Sequence, residues 1–355
     1  MRAIQFHTMT DSFPYPGLTK RQLIGQINHL AALRTPFLFI IDYKAEHGYV
    51  IKKDELDEKF IQFQFESQQS QSLTQTPERG TRNVEHGTRN AEHGTFSWNA
   101  KPVSLKEYKQ KFEFVQNQIQ LGNSFLVNLT QPTKIQTNFS LLEIYNKSRA
   151  KYKLWIKDSL LVLSPETFIE IKEQIISSYP MKGTIDATIP NALEILLNDP
   201  KELAEHATIV DLIRNDISRV ADSVSVKRYR YVEKIKTNKH DLYQVSSKIS
   251  GRLADNYSEK LGDILFELLP AGSISGAPKV KTLEIIQKAE GYERSFYSGI
   301  CGWFDGKNID SGVMIRFIEQ NGEELIFKSG GGITAQSELE KEYEELIQKV
   351  YVPVC

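Results

Sequence analysis

The last third of the chain is a succession of short strand-like segments joined by tight turns. These segments, at 299–304, 309–318 and 324–327, are separated by Asp305-Gly306 and by Asn321-Gly322. Asp-Gly and Asn-Gly pairs between apolar runs are strong hairpin signals, because both residues tolerate the positive φ that such turns need. The pattern predicts strands that follow one another through tight turns.

Helical patterns surround these strands. Ser104 followed by Glu107 predicts a capping box and a helix that runs to about Leu121. Residues 201–220 predict a second helix that is apolar on more than one side, as is typical of a helix buried between layers. Glu205 would then lie in or near the protein interior, where a carboxylate needs a partner.

Length and composition exclude several classes of protein. A chain of 355 residues is long enough for one large core or for two domains. The net charge of −1 gives no reason to expect a nucleic-acid partner. Phe37–Ile41, the longest apolar stretch, is too short to span a bilayer, and the N-terminus lacks the apolar core of a signal peptide. Two cysteines cannot make a disulfide framework or a zinc site. We expect a cytoplasmic protein.

Residues 66–95 differ in composition from their surroundings. A Gln- and Ser-rich run leads into a seven-residue motif that occurs at 80–86 and again at 87–93. The motif lacks the apolar positions of a coiled coil, and two copies are too few for a solenoid. We predict a mobile, solvated insertion whose histidines and arginines either bind a ligand or belong to a tolerated loop expansion.

The C-terminal helix, predicted from about Glu338, carries an unusual acidic edge. Glu342, Glu345 and Lys349 follow helical spacing and line one edge of its apolar stripe. Two carboxylates at this spacing repel each other unless a cation lies between them, and a solvated acidic edge is the alternative. Together with a buried Glu205, the pattern favours a divalent cation held by oxygen ligands, and Mg²⁺ fits better than zinc.

The segment 178–184, S-Y-P-M-K-G-T, presents a single lysine after an extended run. Pro180 biases Tyr179 towards an extended backbone, and Gly183 permits a turn. Lys182 is therefore predicted at the end of a strand, where binding and catalytic groups often lie. Taken alone, an exposed lysine in a turn is the more ordinary interpretation.

Six separated motifs lie within roughly residues 101–355. They are S-P-E at 164–166, P-M-K-G-T at 180–184, E-H-A-T-I-V-D-L-I-R-N-D at 205–216, G-S-I-S-G-A-P-K at 272–279, F-Y-S-G at 296–299, and G-G-G-I followed by E-x-x-E-x-x-x-K within 330–349. Together they resemble the chorismate-utilising enzymes, and among them the branch formed by component I of aminodeoxychorismate synthase. By the same resemblance, residues 1–100 look like a reduced version of the family's N-terminal region that packs on the main domain, 101–355.

The resemblance implies an α+β fold in which two antiparallel β-sheets pack together and are flanked by helices, with 101–355 as the chorismate-binding catalytic domain. It implies a Mg²⁺ cofactor bound by Glu205 and Glu345, with Glu342 contributing through water. It makes Glu166 the general acid and Lys182 the covalent nucleophile. The residues expected to bind chorismate are Ser273, Tyr297, Gly299, Arg316, Gly331, Gly332 and Lys349.

Two positions distinguish the branches of the family. Isochorismate- and salicylate-forming members have a lysine where this chain has Leu126, which cannot act as a base. Anthranilate synthases have alanine where this chain has Lys182. The resemblance therefore implies synthesis of 4-amino-4-deoxychorismate for para-aminobenzoate and folate. Anthranilate synthase component I is the alternative enzyme, and a non-catalytic chorismate-binding subunit is the alternative of another class. Whether Lys182 attacks covalently or assists electrostatically stays open.

Cys301 bears on the source of ammonia. It has no histidine paired with it in its predicted strand, so we expect a core cysteine and a separate glutamine amidotransferase subunit as partner. Most relatives have a histidine at the position of Gln244, whose role is left open. His206 and His240 do not align with that histidine and are interpreted as structural.

Overall fold

The structure is a computed structural model, and it describes residues 13–65, 95–235 and 241–354. The strands are β1 (Leu18–Thr19), β2 (Phe37–Ile41), β3 (His47–Lys52), β4 (Ile61–Phe65), β5 (Trp98–Lys101), β6 (Leu126–Thr137), β7 (Tyr152–Ile156), β8 (Leu160–Ser164), β9 (Thr167–Lys172), β10 (Ile175–Ser178), β11 (Met181–Asp186), β12 (Asp222–Ile235), β13 (Leu242–Arg252), β14 (Gly276–Ala277), β15 (Ile300–Phe304), β16 (Ile309–Val313), β17 (Phe317–Asn321) and β18 (Glu324–Ile333).

The helices lie between and outside these strands. They are α1 (Lys20–Ala32), α2 (Leu105–Gln120), α3 (Leu141–Lys147), α4 (Ala192–Asn198), α5 (Pro200–Ser218), α6 (Leu261–Leu268), α7 (Gly272–Ser275), α8 (Lys279–Glu290) and α9 (Leu339–Gln348), with two short 3₁₀ turns at Lys53–Glu55 and Tyr257–Lys260.

The strands form two sheets in which neighbouring strands run antiparallel. Within the described residues, the first sheet has ten strands in the order β1-β3-β2-β15-β16-β9-β10-β13-β11, and β12 also pairs with β13. In the same part of the chain, the second sheet has eight strands in the order β14-β6-β18-β17-β8-β7-β4, and β5 also pairs with β6. Strands from before residue 100 therefore contribute to both sheets. The domain boundary at residue 100 stays a prediction.

Alternate side chains of the central strands explain how the two sheets pack. In β2, Leu38 and Ile40 belong to a buried apolar cluster that includes Phe65 and Val162 of the second sheet. Phe37, Phe39 and Ile41 point the other way, into a cluster shared with α1, α5 and α6. Because side chains of a strand alternate between its faces, a strand that is apolar at every position is buried on both sides. The second sheet shares a further apolar cluster with α2 and α8, so the layers are helix, sheet, sheet and helix.

Several elements that were predicted from local sequence patterns are present in the structure. The predicted capping box is present: Ser104 Oγ accepts from the N–H of Glu107 at 3.3 Å, and Glu107 Oε2 accepts from the N–H of Ser104 at 3.1 Å. The predicted strand over 309–318 is wrong as a single element. It is divided into β16 and β17, which belong to different sheets, and Arg316 between them has a φ of 50°.

Two further predictions concern the insertion at 66–95 and the absence of a membrane-spanning segment. Nearly all of the predicted insertion at 66–95 lies outside the described residues, as does His240. Within the described ranges, no helix has the length and apolar character needed to cross a membrane.

Candidate active site

Lys182 lies in β11, at one end of the first sheet. β11 pairs with β13, with Val245 opposite Lys182, and the register shifts between Lys182 and Thr184. Gly183 adopts a φ of +76°, and a Cβ there would lie 2.9 Å from Leu196 Cδ1. The turn predicted at Gly183 is therefore a β-bulge within the strand. Bulges often redirect a neighbouring side chain at functional sites.

The ammonium group of Lys182 meets a carboxylate from a different layer. Its Nζ lies 3.4 Å from Glu205 Oε2, and the two side chains are 21% and 9% exposed. Glu205 is carried by α5, whose buried residues include Ile209 and Ile213. Lys182 is thus not an ordinary surface lysine, and the partner that a buried Glu205 requires is present.

Gly332 of β18 leaves space beside this ion pair. A Cβ at Gly332 would lie 3.0 Å from Leu126 Cδ1, 3.4 Å from Lys182 Nζ and 4.0 Å from Glu205 Oε2. Leu126, at the start of β6, is 3% exposed and provides an apolar wall. Any side chain at residue 332 would occupy the space next to the lysine amine.

Gly331 lies beside the acidic edge of α9. A Cβ there would lie 3.5 Å from Glu342 Oε2, 3.7 Å from Glu345 Oε1 and 3.9 Å from Lys349 Nζ. Glu342 is buried and accepts from the Ser337 hydroxyl at 2.7 Å. Lys349 Nζ lies 2.5 Å from Glu345 Oε1 and donates to Gly330 O at 3.0 Å. The three side chains share one edge of the helix, as their spacing predicted, and that edge faces the glycine strand.

Glu166, just before β9, is half-buried, and its carboxyl group is affected by residues from several elements of the site. Burial raises the pKa of its carboxyl group, while a hydrogen bond from Ser273 and the charges of Lys182, Lys349 and Arg316 oppose the rise. All four of these residues come from the predicted set. A raised pKa makes the protonated form more abundant, as a general acid requires.

Glu166 also lines a small cavity of about 30 Å³. Its walls combine apolar and polar side chains, including Phe168, Ile213, Asp216 and Ser273.

The remaining predicted substrate ligands differ in how they are placed. Tyr297 is buried, its ring centroid lies 5.9 Å from that of Phe317, and burial raises its pKa to about 12. The Arg316 guanidinium lies 5.1 Å from the Tyr351 ring centroid. The N–H of Gly299 already donates to Phe296 O at 3.0 Å, so this backbone donor is used within the fold.

The carboxylates do not form a preorganised metal cage. Among the residues that the structure describes, no group of three or more His, Cys, Asp or Glu side chains is placed to hold a metal ion. Glu342 and Glu345 lie next to Gly331, whereas Glu205 lies next to Gly332. The donor chemistry nevertheless fits Mg²⁺, which is usually bound through one or two carboxylates with substrate oxygens and water completing its shell.

Sequence reasoning did not single out a buried ion pair next to the cavity. Lys279 Nζ lies 2.8 Å from Asp216 Oδ2 and also donates to Leu268 O at 3.0 Å. A Cβ on Gly272 would lie 3.1 Å from Asp216 Oδ2, so the pair supports the turn that carries Ser273. Asp216 is the last residue of the motif at 205–216, and Lys279 is the last residue of the motif at 272–279. Their opposite charges were the sequence signal that could have predicted this ion pair.

The residues interpreted as structural include one that lies close to the site. His206 is 1% exposed, its Nε2 lies 2.7 Å from Ser247 Oγ, and burial, with Arg230 and Lys182 nearby, lowers its pKa to about 4. Cys301 is buried, and burial raises the pKa of its thiol, which disfavours a nucleophilic thiolate. Gln244 pairs with Thr184 in β11 and is half-buried.

Comparison with known proteins decides the family. The family profile described as chorismate binding enzyme matches residues 22–354. The chain belongs to the chorismate-binding enzyme family. Two solved structures of chorismate-utilising enzymes share its fold: anthranilate synthase component I of Streptococcus pneumoniae (TM-score 0.66, 21% identity, 98% of this chain and 81% of that one) and the menaquinone-specific isochorismate synthase of Escherichia coli (TM-score 0.66, 15% identity, 94% and 82%). The expected α+β fold with two antiparallel sheets is confirmed.

Relatives within the chorismate-binding enzymes differ in how far the match extends. Proteins named uncharacterized PabA-like proteins are 44% identical in Haemophilus influenzae and 48% identical in Pasteurella multocida, over 95% and 93% of this chain and 98% of each relative. Aminodeoxychorismate synthase component 1 of Klebsiella aerogenes is 35% identical over 72% of this chain and 58% of its own length. Anthranilate synthase component 1 of Acetivibrio thermocellus is also 35% identical, over 64% of this chain and 48% of its own length.

Proposed function

We propose that this chorismate-binding enzyme is component I of an aminodeoxychorismate synthase. It converts chorismate and ammonia into 4-amino-4-deoxychorismate, a precursor of para-aminobenzoate and folate. The observation that carries the proposal is Lys182, which lies 3.4 Å from Glu205 and beside the space left by Gly332. Identity alone does not separate this activity from anthranilate synthesis, since both kinds of relative reach 35%.

Lys182 and Glu166 divide the substitution into two steps. The deprotonated Lys182 amine forms a bond to C2 of chorismate, both conjugated ring double bonds shift by one position, and the C4–O bond breaks. Glu166 protonates the departing hydroxyl group, which leaves as water. Ammonia then forms a bond to C4, both double bonds shift back, and the C2–N bond to Lys182 breaks. Covalent catalysis of this kind replaces one difficult displacement by two easier ones.

The other residues bind and orient the substrate. Arg316 and Lys349 both act on Glu166 through their charges, and we assign them to the two carboxylates of chorismate, which cationic side chains pair with strongly. Glu205 and Glu345, with Glu342, would hold Mg²⁺, which when bound supplies positive charge for a substrate carboxylate. Leu126 contributes an apolar wall and no base for the addition of water.

The test is to identify the product made from chorismate, Mg²⁺ and ammonium by mass spectrometry. Wild-type enzyme should form 4-amino-4-deoxychorismate, and Lys182→Ala should lower the rate by at least about 10³-fold, as expected when a nucleophile is lost. Lys248→Ala is the matched control, because Lys248 is a half-buried lysine of the neighbouring strand β13 that lies 5.4 Å from the Tyr179 ring centroid. Intact-protein mass spectrometry without ammonium should show a Lys182 adduct.

Two results would favour the alternatives. Anthranilate as the main wild-type product would make the protein an anthranilate synthase component I. A protein that neither binds nor consumes chorismate with Mg²⁺ would be a non-catalytic subunit that retains the fold.

We also propose a separate glutaminase partner that supplies ammonia. Support comes from Cys301, the cysteine in the part of the chain that the structure describes, which is buried and has a raised thiol pKa. Purified protein should therefore use ammonium but not glutamine, and product formation from glutamine alone would contradict this.

A further inference from the structure

His206 lies behind the pair formed by Lys182 and Glu205, and the proposed reaction does not use it. It follows Glu205 directly in α5, and its imidazole is almost completely buried. Its Nε2 lies 2.7 Å from the hydroxyl oxygen of Ser247 in β13. The bond therefore joins the helix that carries Glu205 to the sheet that carries Lys182.

Ser247 connects this histidine to the strand of Lys182. Its N–H donates to Pro180 O at 3.0 Å, two residues before Lys182. Val245, two residues before Ser247, is the register partner of Lys182. Ser247 Oγ also accepts from the N–H of Arg230 in β12 at 2.9 Å. A single buried serine therefore fixes α5, β12 and the approach to β11 relative to one another.

The hydrogen bonding of its two ring nitrogens indicates that His206 does more than fill space in the core. Within the described part of the chain, Nδ1 is buried without a hydrogen-bond partner. A buried unsatisfied polar atom costs about 1–3 kcal/mol, which an apolar ring would avoid. The Tyr229 ring packs against the imidazole in an edge-on arrangement, with centroids 5.8 Å apart at 73°. The imidazole is thus held from two sides, and its Nε2 is the atom with a defined partner.

We infer that His206 is a positioning residue: through Ser247 it holds Glu205 in contact with Lys182. This role rests on the functions proposed above for Glu205 and Lys182. Partners that orient a metal ligand commonly change metal affinity or activity by 10–100-fold when they are replaced. His206 differs from such a partner in acting through the helix backbone rather than on the carboxylate itself.

Amide side chains of two lengths test the role of Nε2. Glutamine can place its amide near the position of Nε2, whereas asparagine reaches only the level of Nδ1. His206→Gln should bind Mg²⁺ within about threefold of wild type, measured by calorimetry with MgCl₂ as titrant. His206→Asn and His206→Leu should bind it at least about tenfold more weakly, with kcat reduced in parallel and the chorismate KM less affected.

Ser250→Ala is the matched control for lost hydrogen bonds in the same strand. Ser250 is 2% exposed, and its hydroxyl lies 2.8 Å from Ser177 Oγ, so this hydrogen bond stays within the first sheet and does not involve α5. This variant should lower the melting temperature about as much as His206→Leu while leaving Mg²⁺ binding unchanged.

The inference is overturned if glutamine and asparagine at residue 206 behave alike, if His206→Leu binds Mg²⁺ like wild type, or if wild type binds no Mg²⁺. An unexpected product would instead overturn the proposed function, and the comparison of Mg²⁺ binding among the variants would still decide the role of His206.

Discussion

Gly332→Ala should separate the space needed for the reaction from the stability of the fold. The new methyl group would lie 3.0 Å from Leu126 Cδ1, 3.4 Å from Lys182 Nζ and 4.0 Å from Glu205 Oε2. Gly332 does not adopt the left-handed φ that would strain an alanine, so the substitution adds only volume.

The structural contacts set the size of both effects. Leu126 must yield by a few tenths of an ångström, and overpacking of this kind costs about 1–3 kcal/mol. Replacement of glycine by alanine returns about 0.4–1 kcal/mol by restricting the unfolded chain. The loss should therefore stay below about 3 kcal/mol. The effect on catalysis should be larger, because reacting atoms must approach within about 3–3.5 Å and a misplacement of about 1 Å can cost 10²-fold.

The assay is chorismate consumption with Mg²⁺ and ammonium, together with thermal unfolding. We expect kcat/KM to fall at least about 100-fold while the protein stays folded. Gly331→Ala is the comparison on the adjacent residue: its methyl group would lie 3.5 Å or more from its neighbours, so a smaller loss is expected. The reasoning is refuted if Gly332→Ala keeps a third of the wild-type kcat/KM, or if Gly331→Ala is equally damaging.

Three further substitutions probe the charged groups around the site. Burial raises the pKa of Glu166, so the folded protein binds this proton more tightly than the unfolded chain does. The free energy of unfolding should therefore fall as pH rises from the unfolded-state pKa to the folded-state pKa. Glu166→Gln should remove this part of the pH dependence, measured by urea unfolding, and an unchanged pH dependence would contradict the reasoning. Lys279→Met leaves the buried Asp216 carboxylate without its partner and should cost about 3–5 kcal/mol by chemical denaturation, a loss below 1 kcal/mol being the contrary result. Glu345→Gln should raise the Mg²⁺ concentration for half-maximal activity at least about tenfold, whereas the exposed Glu344→Gln should not, and equal responses would argue against the metal role.

Features of the fold that depend on neighbours in sequence were predictable, and those that depend on distant partners were not. Asp305-Gly306 and Asn321-Gly322 join β15 to β16 and β17 to β18, as their turn chemistry indicated. The segment 309–318 gave no sign of the break that sends β16 and β17 to different sheets, because apolar residues recur on both sides of it. The three glycines at 330–332 have low strand propensity, yet they belong to β18 because β6 pairs with them along their whole length.

The same distinction explains what could be predicted of the site. The spacing of Glu342, Glu345 and Lys349 fixed their common edge, because three side chains of one helix need no other element to be placed together. The contact between Lys182 and Glu205 depends instead on how α5 docks on the sheet, which no spacing within either segment encodes. Gly331 and Gly332 lie side by side in one strand but face different groups of charges, and successive residues of a strand present opposite faces. A cation shared by Glu205 and Glu345 would therefore take its protein ligands from two different helices, α5 and α9, and the spacing within either helix says nothing about how close the two carboxylates come.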